Sequence, residues 1–474
     1  MATKKEELIR IYARAICEGN AAVFAGAGLS RSSGFVDWKG LLAPLAKDIG
    51  LDIDKEKDLL LVAQFYKNQK GRTNINNAIM DAFSKDVKEI NTNIRILSRL
   101  PIFTYWTTNY DELLEQGIKA ANRNSDVKFE SDQLAVMNHN RDAIIYKMHG
   151  DVNHPASAVL TKEDYESYER NRPLFRTALK GDLLSKIFLF IGFSFEDPNL
   201  DYILSQIRSL LGDYPMNHYC FFRRVQESDF NDHNEYAYCK LRQDLQEENL
   251  RKYGIQTVFV DSYDEITQIL LEIEKASKLH NIFISGSAHK YVSPWTQQKA
   301  EDLAEKLAAA LVQGGYRIFS GFGLGIGSSV INGALDVIYK EKYGHIDECL
   351  CLRPFPQNIS DPDARAGRWR EYRESMIGKT GISIFMFGNK KDPNTGETID
   401  ADGCIQEFEI ARDMNNLIIP IGSTGYATKK IWEYVHENIA DYPYLSEAIE
   451  KLGSEIDNDR IVEIIIEVIK KITK

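Results

Sequence analysis

Cysteine is scarce in this sequence of 474 residues, and its spacing is not that of a ligand set. No pair stands as C-x-x-C among the six, which are Cys17, Cys220, Cys239, Cys349, Cys351 and Cys404. Structural zinc sites and disulfide frameworks both depend on regularly spaced cysteines. We therefore expect no metal site and no disulfide bonds. The run 349–352 is apolar instead, and it predicts a buried strand.

Two further features are missing, an excess of basic residues and a long apolar run. The formal net charge is -11, whereas a general nucleic-acid surface needs basic groups that neutralise phosphates. No stretch approaches the roughly 18 uninterrupted apolar residues of a membrane span. The first residues lead into an amphipathic helix and contain no signal sequence. We predict a cytoplasmic protein that binds neither nucleic acid nor membrane.

Strands that alternate with helices are present in both halves of the chain. A short apolar strand enters a glycine-rich turn at 21–30, and a second strand at 281–287 also ends on glycine and serine. The helical pattern of 263–279 lies between them. This alternation predicts an α/β fold with two Rossmann-like domains and parallel sheets, at 1–278 and 279–474. Further buried strands are expected at 187–194, 257–260, 317–321, 382–388 and 417–421.

Four short motifs in the first half place polar residues after predicted strands. They are Gly26-Ala27-Gly28-Leu29-Ser30, Thr107-Thr108-Asn109-Tyr110-Asp111, His149-Gly150 and Gly192-Phe193-Ser194. Polar residues at the carboxyl ends of parallel strands line the crevice where such sheets bind ligands. Glycines after a strand also let the backbone approach a diphosphate, although one such turn alone equally fits a tight turn.

This ordered set resembles the sirtuin family, in which G-A-G-x-S, G-I-P-D-F-R, T-Q-N-I-D, H-G and G-T-S follow one another. The second of these motifs corresponds here to 34–39, where Lys39 replaces the final arginine. Thr108 and Tyr110 replace the glutamine and isoleucine of the third. Sirtuin deacylases also carry two cysteine pairs that bind zinc, and 151–219 contains no cysteine. The resemblance therefore favours an NAD hydrolase without the zinc module over a deacylase.

The resemblance implies that NAD is the substrate and that Asn109 and His149 are catalytic. Asn109 would orient a water or a ribose hydroxyl, and His149 would act as a general base. Asp111 or Asp37 would hold the nicotinamide amide, and the serines would bond the diphosphate or a ribose. The NAD-binding set is Ala25, Gly26, Gly28, Ser30, Asp37, Asp111 and Ser194. Two structural alternatives stay open, Asn109 as a helix N-cap and His149-Gly150 as an ordinary turn.

Glycine and serine also follow two predicted strands of the second half. The residues are Gly286 and Ser287 after one strand and Gly323 and Gly325 after another. Alternating glycines expose successive backbone N–H groups, which suit a phosphate. With Asp402-Gly403-Cys404-Ile405-Gln406-Glu407 and an arginine-containing helix, this half resembles the SLOG family of nucleotide sensors.

The SLOG resemblance implies a binding site for a signalling nucleotide. Arg373 and Lys390 would contact phosphates, Glu407 would accept hydrogen bonds from ribose hydroxyls, and Arg368 is a second phosphate candidate. The alternative is that the arginines of 368–373 form a solvated helix face paired with neighbouring glutamates.

A zinc-less sirtuin-like domain followed by a SLOG domain resembles the effectors of the Thoeris antiphage system. The resemblance implies an NAD hydrolase activated by a cyclic ADP-ribose-type signal, which a partner with a TIR domain makes. It also implies a homo-oligomer, a tetramer or larger. Two other functions stay open, a sirtuin-like deacylase or ADP-ribosyltransferase and a non-catalytic nucleotide sensor.

Overall fold

The structure is a computed structural model that describes residues 3–83, 89–195, 198–211, 217–341, 349–355 and 361–473. The chain divides into two compact units, which we call unit 1 (Met1–Glu274) and unit 2 (Lys275–Lys474). Each unit contains a parallel sheet with helices packed against it. The predicted α/β class with two Rossmann-like sheets is therefore confirmed.

Unit 1 is built on a parallel sheet of seven strands. The strands are β1 (Ala21–Ala25), β2 (Thr104–Thr107), β3 (Ser125–Lys128), β4 (Ala143–Lys147), β5 (Ile187–Ile191), β6 (His218–Arg223) and β7 (Ile255–Val260). Their order is β3-β4-β2-β1-β5-β6-β7, and every neighbouring pair is parallel. Strands β2 to β4 lie on one side of the fully buried β1, and strands β5 to β7 lie on the other side, so the strand order switches direction at β1. The crevice beyond the carboxyl ends of β1, β2 and β5 is therefore the expected ligand position.

The helices of unit 1 cover both faces of this sheet. They are α1 (Lys4–Cys17), α2 (Ala27–Arg31), α3 (Trp38–Asp48), α4 (Leu59–Lys70), α5 (Arg72–Phe83), α6 (Thr92–Arg99), α7 (Leu113–Ala120), α8 (Lys162–Glu166), α9 (Tyr168–Asn171), α10 (Pro173–Ser185), α11 (Pro198–Leu211), α12 (His233–Lys252) and α13 (Asp264–Lys278). Helix α1 starts at a capping box of Thr3 and Glu6 and buries Leu8, Tyr12 and Ile16 on one face. Helices α3, α4 and α5 share an apolar cluster with residues that follow β2 and β4.

Unit 2 contains a five-stranded parallel sheet and a two-stranded antiparallel hairpin. Its strands are β8 (Asn281–Ser287), β9 (Arg317–Ser320), β10 (Leu350–Leu352), β11 (Ile382–Phe387), β12 (Asn389–Lys391), β13 (Thr398–Asp400) and β14 (Leu417–Pro420). The sheet order is β10-β9-β8-β11-β14, and β12 pairs with β13. Its helices are α14 (Gln297–Gln313), α15 (Gly327–Glu341), α16 (Pro362–Ile377), α17 (Asp402–Asp413), α18 (Tyr426–Glu437), α19 (Ile449–Ser454) and α20 (Asn458–Thr473).

The apolar faces of the helices explain how the core of unit 2 forms. Helix α14 buries Leu303, Leu307 and Leu311, one residue per turn, together with Ala304 and Ala308. The predicted buried strand at 349–352 is partly wrong, because β10 lies at the edge of the sheet. Leu350 is buried there, whereas Leu352 is exposed. An edge strand has a neighbour on one side only, so fewer of its side chains are covered.

Candidate functional site

The loops that follow β1 and β5 pack against each other through backbone atoms. Gly26 N and Gly28 N donate to the carbonyls of Ile191 and Gly192, each at 2.9 Å. A Cβ added at Gly26 would lie 2.3 Å from the oxygen of Gly192, and one at Gly192 would lie 2.1 Å from the backbone nitrogen of Leu29. The glycines of the first motif are therefore required by this loop contact, whether or not a ligand is bound.

Ala25 ends the central strand and connects it to β2. Its side chain is fully buried, and its carbonyl accepts a hydrogen bond of 2.9 Å from Thr107 Oγ1. The same hydroxyl accepts a hydrogen bond of 3.0 Å from the backbone N–H of Asn109. Thr107 thus sets the direction in which the chain leaves β2.

The Asn109 amide is held by the loop that follows β1. Its Nδ2 donates to the carbonyl of Gly26 and to Ser30 Oγ, both at 3.0 Å. Both amide hydrogens are used, and in the described part of the chain no group donates to Oδ1. The N-cap alternative is wrong, since α7 begins at Leu113 with Glu112 at the N-cap. The amide oxygen is therefore oriented and available to accept a hydrogen bond.

Asp111 is a buried carboxyl group at the same strand end. Its Oδ1 accepts a hydrogen bond of 3.0 Å from the backbone N–H of Leu113. Its Oδ2 is buried and accepts no hydrogen bond from the described residues. Burial raises the pKa of Asp111, whereas the neighbouring Ser30 hydroxyl, the Leu113 N–H and the charge of Lys147 oppose this rise. A buried carboxyl oxygen without a partner is costly, and such a group is a candidate for contact with a ligand.

Asn109 and His149 follow two neighbouring strand ends that are in register. Thr107 of β2 pairs with Lys147 of β4, and the two predicted catalytic residues each lie two positions further along. His149 is buried, and its Nε2 lies 3.3 Å from the hydroxyl of Tyr165. The turn alternative is right for the backbone, because Gly150 has a φ of 98°. The buried ring is nevertheless set in place by a side-chain contact.

Tyr165 is a site residue that the sequence analysis did not identify. It belongs to α8, and its ring meets that of His149 edge to face at a centroid distance of 5.4 Å. Trp38 at the start of α3 lies 6.2 Å from the same tyrosine ring. No motif contains this tyrosine, so only the folded structure reveals the contact.

Asp37 and Ser194 lie in more accessible surroundings than the other predicted residues. Asp37 caps α3 by accepting a hydrogen bond of 2.8 Å from Gly40 N, and it is half-buried. Ser194 is exposed, and its carbonyl accepts a weak hydrogen bond of 3.4 Å from Gln246. Their contacts with NAD stay a prediction.

A buried ion pair lies at the candidate site of unit 2. Arg373 Nε donates to Glu407 Oε1 at 3.2 Å, and Ser285 Oγ donates to Glu407 Oε2 at 2.6 Å. The guanidinium also lies over the rings of Phe355 and Trp369, at 4.7 and 5.9 Å from the centroids. Burial raises the pKa of Glu407, and the hydrogen bond from Ser285 and the charge of Arg373 oppose this rise. The two predicted ligand-binding residues thus bind each other.

Glycines bring the loops of unit 2 close together as in unit 1. A Cβ at Gly323 would lie 1.8 Å from the carbonyl oxygen of Gly286, and one at Gly325 would lie 2.2 Å from that of Ala288. The hydroxyl of Ser287 donates to the carbonyl of Asn389 at 3.2 Å. These predicted residues therefore meet beyond the end of β8.

The other predicted cations of unit 2 lie at its surface. Lys390, on the hairpin strand β12, forms an ion pair with Asp402 at the start of α17. Arg368 on α16 is exposed and has no ion-pair partner in the described ranges. Arg370 pairs with Glu374 at 3.0 Å, as the solvated-face alternative predicts for that residue.

Two known families match successive parts of the chain. The SIR2-like domain family matches residues 104–257, and the Sir2- and TIR-associating SLOG family matches residues 265–472. A curated "NAD(+) hydrolase ThsA" from Cytobacillus dafuensis is 44% identical over 100% of this chain and 97% of its own length. The chain belongs to the ThsA family. The prediction of a Thoeris effector family is thereby confirmed.

Other relatives support the same family. The "NAD(+) hydrolase ThsA" of Enterococcus faecium is 45% identical over 99% of both chains. The "Defense-associated sirtuin 2" of Bacillus subtilis is 27% identical over 47% of this chain and 22% of its own length. The ThsA-family match thus spans both units, whereas the match to the second protein spans about half of the chain.

Two other kinds of feature are missing from the residues that the structure describes. In the residues that the structure describes, no three His, Cys, Asp or Glu side chains are grouped so that they could hold a metal ion. No described helix is both long enough and apolar enough to cross a membrane.

Proposed function

We propose that this chain hydrolyses NAD(+) to nicotinamide and ADP-ribose in unit 1, in defence against phage. The observation that carries the proposal is the held amide of Asn109, whose oxygen is oriented just beyond the end of β2, beside the end of β4 that His149 follows. Full-length similarity to proteins named NAD(+) hydrolase ThsA supports the substrate.

The reaction breaks the bond between nicotinamide and C1′ of its ribose. The electron pair of this bond leaves with nicotinamide, the oxygen of water bonds to C1′, and water gives up a proton. Asn109 Oδ1 accepts a hydrogen bond from the water or from a ribose hydroxyl and so fixes its direction of attack. His149 accepts the proton, directly or through a ribose hydroxyl. The Tyr165 hydroxyl at Nε2 holds the imidazole ring in its orientation.

Asp111 is the better candidate of the two carboxyl groups for the nicotinamide amide. Its Oδ2 is buried without a hydrogen bond from any described residue, whereas Asp37 already caps α3. A carboxamide supplies N–H groups to such an oxygen, and a protonated carboxyl could also donate to the amide carbonyl. Ser30 lies next to Asn109 and would contact the ribose or the diphosphate.

We further propose that unit 2 binds a cyclic ADP-ribose-type nucleotide, which raises NAD(+) turnover. The diphosphate would take Arg373 and Lys390 as partners, and Glu407 would accept hydrogen bonds from ribose hydroxyls. The match to a Sir2- and TIR-associating SLOG family supports a TIR-domain protein as the source of the signal. A homo-oligomer remains part of this proposal, as in the family that the sequence resembles.

The test is to incubate the purified chain with NAD(+) alone and with each cyclic ADP-ribose isomer. The proposal expects nicotinamide and ADP-ribose in equal amounts, with no protein substrate, and faster release with one isomer. The proposal also expects that a chelator leaves the rate unchanged.

The other candidate functions predict different products. A deacylase or an ADP-ribosyltransferase would release nicotinamide only with an acylated or acceptor protein. A non-catalytic sensor would bind nucleotide and release nothing under any condition. Either result would overturn the proposed hydrolysis.

A further inference from the structure

A fully buried lysine lies beneath the candidate active site of unit 1. Lys147 is the last residue of β4, and its side chain has no exposed surface. Its Nζ lies within 3.0 Å of four oxygen atoms. Burying an ammonium group is costly unless its hydrogen bonds and its charge are satisfied. This lysine therefore marks a place where the structure depends on a particular set of contacts.

Two of these four oxygens belong to the loop that carries Asn109. Lys147 Nζ donates to the carbonyls of Tyr110 at 3.0 Å and of Asp111 at 2.7 Å. The carbonyl of Tyr110 also accepts the backbone N–H of Val152, at 3.0 Å. The ammonium group of Lys147 thus fixes the backbone that immediately follows Asn109.

The other two oxygens are carboxylate oxygens. Nζ lies 2.5 Å from Asp151 Oδ2, in the turn that follows His149, and 2.9 Å from Glu115 Oε1 on α7. Burial lowers the pKa of Lys147, but the charges of Glu115 and Asp151 outweigh this effect and raise it above its ordinary value. The lysine is therefore charged, and one cation links the β2 loop, the β4 turn and α7.

We propose that Lys147 is a positioning residue that holds the Asn109 loop and the His149 turn in register for the reaction. It touches neither reacting group and acts through the backbone on one side and through Asp151 on the other. A misplacement of about 1 Å in a catalytic group can cost about 100-fold in rate. The expected effect of Lys147 on the reaction rate rests on the proposed hydrolysis.

The chain offers a matched control for the loss of a buried lysine. Lys128 on the neighbouring strand β3 is also buried, and it pairs with Asp126 at 2.8 Å. Its Nζ contacts the carbonyl of Val136 rather than the Asn109 loop or the His149 turn. Lys128→Met therefore removes a buried cation from the same sheet without touching the proposed link.

The experiment compares Lys147→Met, Lys147→Arg and Lys128→Met in the full chain. A fourth variant combines Lys147→Met with Glu115→Gln and Asp151→Asn, so that no carboxylate is left buried without a cation. We expect kcat for nicotinamide release to fall by about 100-fold in both Lys147→Met variants, with KM within about threefold. Lys147→Arg should recover part of kcat, and Lys128→Met should stay near the unsubstituted chain.

Backbone hydrogen exchange provides a readout that does not depend on activity. Exchange in the peptide that contains 108–113 should become faster in both Lys147→Met variants and stay unchanged in Lys128→Met. If the unsubstituted chain releases no nicotinamide while this exchange result holds, the proposed function fails and the structural link stands. A folded combined variant with kcat within threefold of the unsubstituted chain, or with unchanged exchange, would overturn the role of Lys147. An equal kcat loss in Lys128→Met would overturn it as well.

Discussion

The two units present their central polar groups from different elements, loops after strands in unit 1 and helices in unit 2, and partner them differently. In unit 1 the central groups are a neutral amide and an imidazole, each fixed by a hydrogen bond to the surrounding structure. In unit 2 the central groups are the charged side chains of Arg373 and Glu407, which bind each other. Lys390 and Asp402 form a second ion pair there.

This difference matches the division of labour that we propose. Groups whose orientation is already fixed need little reorganisation when a reaction occurs, which is the property of a catalytic site. A nucleotide that takes Arg373 and Glu407 as partners must instead replace a contact that the protein makes with itself. Ligand binding is then tied to a change in the protein, which is the property of a sensor. Four substitutions or conditions test this comparison.

The largest effect is expected in unit 1. Asn109→Ala or His149→Ala should lower NAD(+) turnover by about 1000-fold, roughly 4 kcal/mol of barrier, because orientation and proton transfer are lost. Nicotinamide release measures the rate, and calorimetry measures nucleotide binding to unit 2, which should not change. His139→Ala, on an exposed loop, is the control. Loss of nucleotide binding in His149→Ala would contradict the separation of roles.

The next effect concerns the ion pair of unit 2. Arg373→Ala should abolish activation by the cyclic nucleotide. The coupling between the nucleotide and NAD(+) turnover, typically a factor of about 5 to 150, should be lost. The double variant Arg373→Ala with Glu407→Gln leaves no buried carboxylate without a cation. It should lose activation to the same extent as Arg373→Ala. Titration of the rate with nucleotide is the measurement. Arg370→Ala, on the exposed face of the same helix, is the control and should keep activation. Unchanged nucleotide affinity in Arg373→Ala would remove this arginine from the site.

Acid should destabilise unit 1 through a single histidine. Burial lowers the pKa of His218 to about 4, and its Nδ1 accepts a hydrogen bond of 3.2 Å from Phe188 N. The pKa of histidine in the unfolded chain is about 6.5. The contribution of neutral His218 to the free energy of unfolding is therefore complete above that pH and is lost as the pH falls towards 4. At pH 5 the free energy of unfolding should be lower by about 2 kcal/mol.

The measurement for His218 is urea unfolding at pH 7.5 and 5, followed by hydrogen exchange in each unit. In His218→Gln this part of the pH dependence should disappear from unit 1. An identical pH dependence in the variant would show that other groups are responsible.

The smallest effect is expected for the hydroxyl at His149. Tyr165→Phe keeps the ring and removes the group 3.3 Å from Nε2, so kcat should fall by about 10-fold, roughly 1.4 kcal/mol of barrier. Tyr12→Phe is the matched control, because its buried hydroxyl donates to the carbonyl of Ala22 away from the site. Tyr12→Phe should lower stability and leave kcat unchanged. Equal kcat values for the two variants would mean that Tyr165 contributes packing alone.

Most strands with apolar sequences were predicted, although β6 was not, and the polar strands were missed. Glycine-bounded apolar runs correctly indicated β1, β8 and β11. Strand β3 was missed because it contains Asp126 and Lys128, which are buried and pair with each other, while Asp126 also pairs with Arg141. The hairpin strand β12 was missed for a related reason, since Asn389 is buried while its side chain bonds to backbone groups of 289–290.

In the candidate site, residues within motifs were predictable and residues outside motifs were not. Motifs predicted Asn109 and His149, because both stand in short segments that follow strands, and the structure pairs those strands. Lys147 and Tyr165 carry no motif, and their contacts depend on segments that only the fold brings together. Asp111 was predicted as a ligand-binding residue, but its unpartnered oxygen is visible only in the structure.

The glycine contact between the loops after β1 and β5 limits how this crevice can diversify. Gly26 and Gly192 leave no room for even one added carbon, so that wall consists of main chain alone. Main-chain amides contact the diphosphate of any dinucleotide in the same way. They cannot distinguish nicotinamide from another base as the leaving group. Discrimination between bases, and its adjustment in the course of evolution, must therefore arise from side chains elsewhere in the crevice, such as Asp111 and the aromatic pair Trp38 and Tyr165 beside His149.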